Sequence, residues 1–254
     1  MRNPTRRNRN IGTENQGYGQ NNKLTISTPY GDTKIFHERL KDYSKEKRII
    51  NNHEFVFVVE KTRKNSIHCC SINDIEKIIK QIPITDYGDL KFIILRQPKR
   101  KEEILSPVWG RLSYYYEFES ENYPAIILDA INLMGKLKWS KKLKLDDQHE
   151  LERLKKDGHA FEESKRDYFV NLEFTSSRNT QLYRTLLHEF GHYVHYLEVV
   201  ERPETTNEEF EEWEKRYEQY FKIRKEDKEI FAHKYSDNLK QKLLKNKIIP
   251  FDPQ

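Results

Sequence analysis

The stretch RTLLHEFGHYVHYLE, Arg184 to Glu198, constrains the fold more than any other part of the sequence. Apolar residues at 183, 186, 187, 190, 194 and 197 recur at helical spacing, which predicts a core-facing helix over residues 182–200. His188 and His192 fall on its other face. At about 100° per residue they lie roughly 40° apart and one turn apart along the axis, so both imidazoles can reach one ion. Gly191 stands mid-helix, where glycine costs about 1 kcal/mol relative to alanine. Its presence would let another backbone or strand approach the helix closely there.

His188-Glu189-Phe190-Gly191-His192 is an H-E-x-x-H pattern, in which two histidines hold zinc and the intervening glutamate, Glu189, acts as general base. Neutral imidazole is a good ligand for Zn2+. His195 lies two turns, about 10 Å, beyond His188 on the same rigid helix, which makes it a rim or supporting residue. The third ligand therefore has to come from another element. Pro203 ends the first helix, and NEEFEEWEKRYEQYFK follows as a second, with Thr206 and Glu209 as a capping box. Its apolar stripe is Phe210, Trp213, Tyr217, Tyr220 and Phe221. A third helix begins near Glu226, where Ile230, Phe231 and Tyr235 are placed to pack and Glu229 to reach the metal. Glu226, Asp227 and His233 are its rivals for that role. The bland alternative to a metal site is two half-buried histidines bonded to their neighbours.

Upstream, EFVFVVE (54–60) and LKFIILR (90–96) have the β-branched and aromatic content of strands, and SINDIEKIIKQIP between them reads as a helix capped by Ser71 and Asp74 and stopped by Pro83. RLSYYYEFE and AIILDA form paired strands around the turn-like SENYP. YFVNLEF (168–174) is one more strand, leading through TSSRNT, with Thr180 or Asn179 as cap, into the histidine helix. Residues 136–166 are dominated by charge and carry leucines at 143, 145, 151 and 154, a helical excursion with no assigned chemistry. The fold class is α+β, in one domain over residues 23–254.

Residues 1–22 form a basic tail, rich in Asn, Gly and Arg and expected to be disordered; they hold +3 of the formal net charge of +5. The remainder is nearly balanced, so nucleic acid is not an expected partner except through the tail. Cys69 and Cys70 are adjacent, which suits neither an ordinary disulfide nor a zinc knuckle. They are expected to be reduced and structural, with His68 beside them a weak metal signal. With no apolar leader and no apolar run of membrane-spanning length, the expected location is the cytoplasm.

The pairing of LLHEFGH with a downstream Glu229-Ile230-Phe231-Ala232 resembles the gluzincin metallopeptidases, in particular the catalytic module of anthrax lethal-factor-like and Pro-Pro endopeptidase-like proteins. The resemblance spans about residues 70–245 and includes the helix ending near Pro83 and the strands that follow it. It implies a zincin-like domain: a small mixed sheet with an edge strand over the active-site helix, followed by a helical C-terminal part. It also implies a Zn2+ site of His188, His192 and Glu229, and hydrolysis of a peptide or protein substrate with Glu189 activating the water. An extended substrate would lie along an edge strand, for which PAIILDA is the expected segment. The family's oxyanion tyrosine falls at Lys222 here, so Tyr220, Tyr217, Tyr235 or His233 would have to substitute. Two alternatives carry their own signatures: a DNA-associated metalloprotease of the SprT type, with His233 as third ligand, or a non-catalytic zincin-fold regulatory protein, which has no use for Glu189.

Overall fold

The computed structural model describes residues 38–105, 108–203 and 208–254. The basic tail therefore lies outside the described residues, as does Thr206. Strands β1 (Tyr43–Ile50), β2 (His53–Glu60), β4 (Phe92–Arg96), β5 (Gly110–Phe118) and β6 (Glu121–Asp129) form one mixed sheet in the order β1-β2-β4-β6-β5. β2, β4 and β6 run parallel, and each outer strand is antiparallel to its neighbour. Both hairpins close through two residues of positive φ, Asn51–Asn52 and Glu119–Ser120, whose backbone twist matches that of the strands they join. The turn in SENYP is thus shorter than the sequence suggests, and Asn122, Tyr123 and Pro124 belong to β6.

Side chains alternate across this sheet. Phe55, Phe57, Ile93, Leu95, Ile126 and Leu128 share one apolar cluster with Ile75, Ile78 and Ile79 of helix α1 (Ile72–Ile79) and with Leu182, Leu186, Leu187 and Phe190. Val56, Val58, Phe92, Ile94, Ala125 and Ile127 form a second cluster on the opposite face. LKFIILR is therefore buried on both sides, as a central parallel strand requires. Cys69 and Cys70 are free and buried in the first cluster, and burial pushes the Cys69 thiol up to about 12. The Ser71–Asp74 capping box is present at 3.0 and 3.1 Å. Asp74 also takes a hydrogen bond from the buried Arg178 at 2.8 Å, tying α1 to the histidine helix.

Two short strands, β3 (Ser66–Ile67) and β7 (Ile131–Asn132), pair apart from the main sheet, and α2 (Arg100–Leu105) follows β4. The charged stretch 136–166 is more than a helical excursion. It contributes β8 (Lys136–Ser140), α3 (Leu145–Lys156) and β9 (Phe161–Glu163), and its strands flank β10 (Asp167–Asn171) in a separate three-stranded sheet. Leu151 and Leu154 are buried while Leu145 is exposed.

Helix α4 runs over residues 174–201 as Phe174–Thr180, a π turn at Gln181–Thr185, Leu186–Tyr196 and a second π turn at Leu197–Glu201. Asn179 and Thr180 lie inside it and do not cap it, because TSSRNT is already helical from Phe174. Glu209 occupies the N-cap position of helix α5 (Phe210–Lys222) without a side-chain capping hydrogen bond, so that residue is not the inner member of a capping box. Helix α6 (Lys225–Lys245) completes the C-terminal part. Ile230 is 66% exposed and Phe210 68%, against the packing roles their spacing suggests.

The end of α3 is tied to α4 and α6 by a buried polar network. Asp157 accepts from Arg184 at 2.6 Å, Thr180 at 3.0 Å and Lys240 at 3.2 Å. Since the Thr180 hydroxyl proton goes to Asp157, the 2.9 Å contact to His159 is donated by its Nε2–H, which leaves His159 Nδ1 bare and without a partner among the described residues. Burial pushes this imidazole down to about 4, with Asp157 opposing and Arg184 assisting. The folded state therefore takes up this proton only near pH 4, the unfolded chain near 6.5. Stability from His159 is complete above the unfolded value and falls as pH drops toward 4, by up to about 1.4 kcal/mol per pH unit. Thermal melts of wild type and His159→Gln between pH 7 and pH 4 are expected to show a shallower acid slope in the variant; parallel slopes would contradict this.

Candidate metal centre

α4 reaches the site already fixed against the sheet. Its π turn sits just ahead of LLHEFGH, and there the buried Gln181 donates from Nε2 to the Trp109 and Asp129 carbonyls at 2.9 and 2.6 Å. At Gly110 a Cβ would come within 2.9 Å of Thr185 Cγ2 and 2.8 Å of the Ile127 carbonyl, so β5 begins hard against the helix. Tyr183, Leu186, Leu187, Phe190, Val194 and Leu197 are all buried, as the apolar stripe predicts. His188 and His192 emerge on the free face.

The third side chain arrives through a crossing of α4 and α6. A Cβ on Gly191 would meet the Ala232 Cα and carbonyl oxygen, both at 2.9 Å, and Tyr235 Cβ at 3.2 Å. Here is the close backbone passage that a mid-helix glycine implies, and Ala232, fully buried, is its partner. Glu229 lies one turn before that contact. Its Oε2 stands 3.2 Å from His188 Nε2 and 3.7 Å from His192 Nε2, and the two rings are nearly perpendicular with centroids 4.6 Å apart. Among the described residues, these three form a group whose donor atoms all lie within 4.8 Å of one another.

This spacing suits a small ion. Zinc bonds of about 2.0–2.1 Å in tetrahedral array separate neighbouring donors by roughly 3.3 Å, close to both measured contacts. Two imidazole nitrogens and one carboxylate oxygen are also a donor set that zinc accepts. The Glu229 carboxyl is held well below the usual range, first by its contact with His188 and then with His192. His188 Nδ1 is buried with no hydrogen-bond partner among the described residues, where no carboxylate or carbonyl orients that ring from behind.

Glu189 is 8% exposed and lies between the histidines and β5. Burial pushes its carboxyl up, while His188, His192 and the Leu112 backbone N–H on β5 pull the other way. The sequence reading of the edge strand needs correction. PAIILDA lies in β6, enclosed between β4 and β5, and β5 is the outermost strand on this side among the described residues. The hairpin carries the chain inward, from β5 to β6, so the strand N-terminal to the turn takes the edge beside the helix.

The remaining predicted residues have other partners. Tyr220 is buried, and its hydroxyl donates to the His192 carbonyl at 3.2 Å while receiving from Tyr114 at 2.6 Å. Tyr235 donates to Asp86 at 2.9 Å, on the carboxylate that also holds Arg202. His195 stacks on Phe231 with centroids 4.4 Å apart and takes no part in the three-residue group. His233 stands beside His188, ring centroids 4.4 Å apart, and burial pushes it down to about 4. Glu226 is exposed, Asp227 is paired with Arg224, Tyr217 stacks on Trp213, and Lys222 pairs with Glu218 on the surface. Tyr114 was not singled out by its sequence.

No family model matches the chain, and neither curated proteins nor solved structures give a significant match. Among the described residues no helix is long and apolar enough to cross a membrane.

The crossing makes a prediction at one atom. Gly191→Ala adds helix propensity worth about 1 kcal/mol, but its methyl meets backbone at 2.9 Å, which cannot rotate away. Overpacking of this kind costs about 1–3 kcal/mol. The variant is expected to melt at lower temperature and to bind divalent zinc more weakly by isothermal titration. Unchanged melting and affinity would show that the close approach is not needed.

Proposed function

We propose that this chain is a zinc-dependent metalloendopeptidase of zincin-like fold, in which His188, His192 and Glu229 hold the metal and Glu189 is the general base. The observation that carries the reading is the convergence of two imidazole Nε2 atoms on one carboxylate oxygen, with a buried glutamate between the histidines and an edge strand. A zinc ion held by these residues would supply Lewis acidity and make a water at the site easier to deprotonate.

The protein's own groups do the rest. Glu189, raised by burial, takes a proton from the attacking water and delivers it to the departing amine. Burying a carboxylate is costly, and a purely structural scaffold gains nothing from keeping one at this position. β5 offers the outward main-chain groups of an edge strand to an extended peptide, which would add a strand beside the metal and take over the Leu112 N–H that Glu189 accepts in its absence. Tyr220 and Tyr235 already donate their hydroxyls within the protein. His233, neutral and against His188, is accordingly the group proposed to support the developing negative charge on the carbonyl oxygen.

Glu189→Gln is expected to keep its metal and lose peptide hydrolysis by at least about 100-fold, the usual scale for general-base catalysis. His188→Ala is expected to lose both. The check is zinc content beside cleavage of a quenched-fluorescence peptide library; wild-type rates in Glu189→Gln would remove that residue from the base role.

A further inference from the structure

The β5 edge changes character halfway along. Ser113 faces Ala125 and Tyr116 faces Tyr123, so Tyr114 and Tyr115 together oppose Pro124 alone. Such a bulge bends the strand and interrupts its pairing pattern. Here Ser113 Oγ secures it by donating to the Tyr115 carbonyl at 2.7 Å. Two consecutive tyrosines then go separate ways. Tyr114 turns in to Tyr220 and, through it, to the His192 carbonyl. Tyr115 stays 53% exposed and meets Tyr217 of α5 edge-on, with centroids 6.2 Å apart.

Tyr217 belongs to a row along α5. Phe210, Trp213, Tyr217 and Phe221 follow one another with centroid separations of 5.6, 5.2 and 4.7 Å, the first two pairs stacked. A stripe at this spacing is ordinarily a core face, yet Phe210 is 68% and Phe221 42% exposed. Trp213 and Tyr217 between them pack partly against the core, so the row is a half-open apolar surface, exposed at its two ends, that begins where regular strand pairing on β5 ends.

We infer that β5 and α5 form a two-part recognition surface: a peptide pairs its main chain along residues 110–113 and, past the bulge, rests aromatic or large aliphatic side chains on the row. The inference takes the peptidase reading as the reason that a peptide is present. The edge itself argues for this ligand over a sugar or a free ring compound, since strand donors and acceptors are matched by another backbone. From Leu112, which faces Glu189, to Tyr115 is three residues, a span that the bulge bends and shortens below the roughly 10 Å of a regular strand. The preferred side chain thus stands about three to five residues from the bond that is cut, on one side of it only.

The test uses two peptide series, identical except for Phe or Ser at those positions, with wild type and with Phe210→Ala/Trp213→Ala/Phe221→Ala. Wild type is expected to favour Phe by roughly tenfold in kcat/KM, expressed in KM, and the variant to cut both series at the wild-type Ser rate. Trp213 also packs against the core; if the triple variant unfolds, Phe210→Ala/Phe221→Ala is expected to lose at least half of the preference. No preference in wild type, or a preference that survives these substitutions, would overturn the inference while cleavage of the Ser series leaves the peptidase reading standing. If wild type cuts neither series, that reading fails, and anisotropy of the same labelled peptides decides the inference: tighter, row-dependent binding of Phe supports it and equal binding overturns it.

Discussion

The contact between Gly191 and Ala232 is the constraint on which the site depends. Side chains larger than hydrogen and methyl would hold α4 and α6 at the usual helix separation of about 8–10 Å or more, and Glu229 would stand off from the histidines. With backbone against backbone at 2.9 Å from an added Cβ, the carboxylate reaches both imidazoles. Everything behind α4 serves to keep it still: Gln181 on two carbonyls of the sheet, Arg178 on Asp74, and Arg184 on Asp157 and Glu150. The proposed zinc site is thus assembled by elements far apart in sequence but each rigidly anchored, which is what precise ligand geometry requires.

β5 gives the same helix a second role. One strand supplies the Leu112 N–H that faces Glu189, the Tyr114 hydroxyl that supports Tyr220, and the Tyr115 ring that meets α5. A regular strand would send Tyr114 and Tyr115 to opposite faces of the sheet, with Tyr116 on the same face as Tyr114. The bulge breaks that alternation, and Tyr116 instead joins the far-side cluster with Phe92 and Ile127.

Much of this was legible in the sequence because it obeys simple periods. The helix stripe from Tyr183 to Leu197 and the Ser71–Asp74 box follow from spacing, the buried strand LKFIILR from its β-branched and aromatic content, and all are present. Gly191 announced a close approach, and Glu229 was chosen by resemblance to a known motif. What was missed has physical reasons. β1, YSKEKRII, is an exposed edge strand whose charge hides its strand character, as edges commonly do. Which member of the β5–β6 hairpin lies outside depends on pairing with β4, a long-range choice that local pattern does not encode. Three consecutive tyrosines at 114–116 suit either face of a strand, so nothing in the local pattern marks the bulge. Phe210 and Ile230 follow a helical stripe yet stay open, because periodicity marks a face without saying what covers it.

The central claim is that α6 contributes Glu229, and not His233, to a single zinc ion. The direct measurement is zinc content by elemental analysis of purified wild type, Glu229→Ala and His233→Ala, with folding matched by circular dichroism. The account predicts about one zinc per chain in wild type and in His233→Ala, and a loss of it in Glu229→Ala, since a tetrahedral catalytic site needs three protein ligands. A folded wild type without zinc, or a Glu229→Ala variant that retains it in full, would contradict the account.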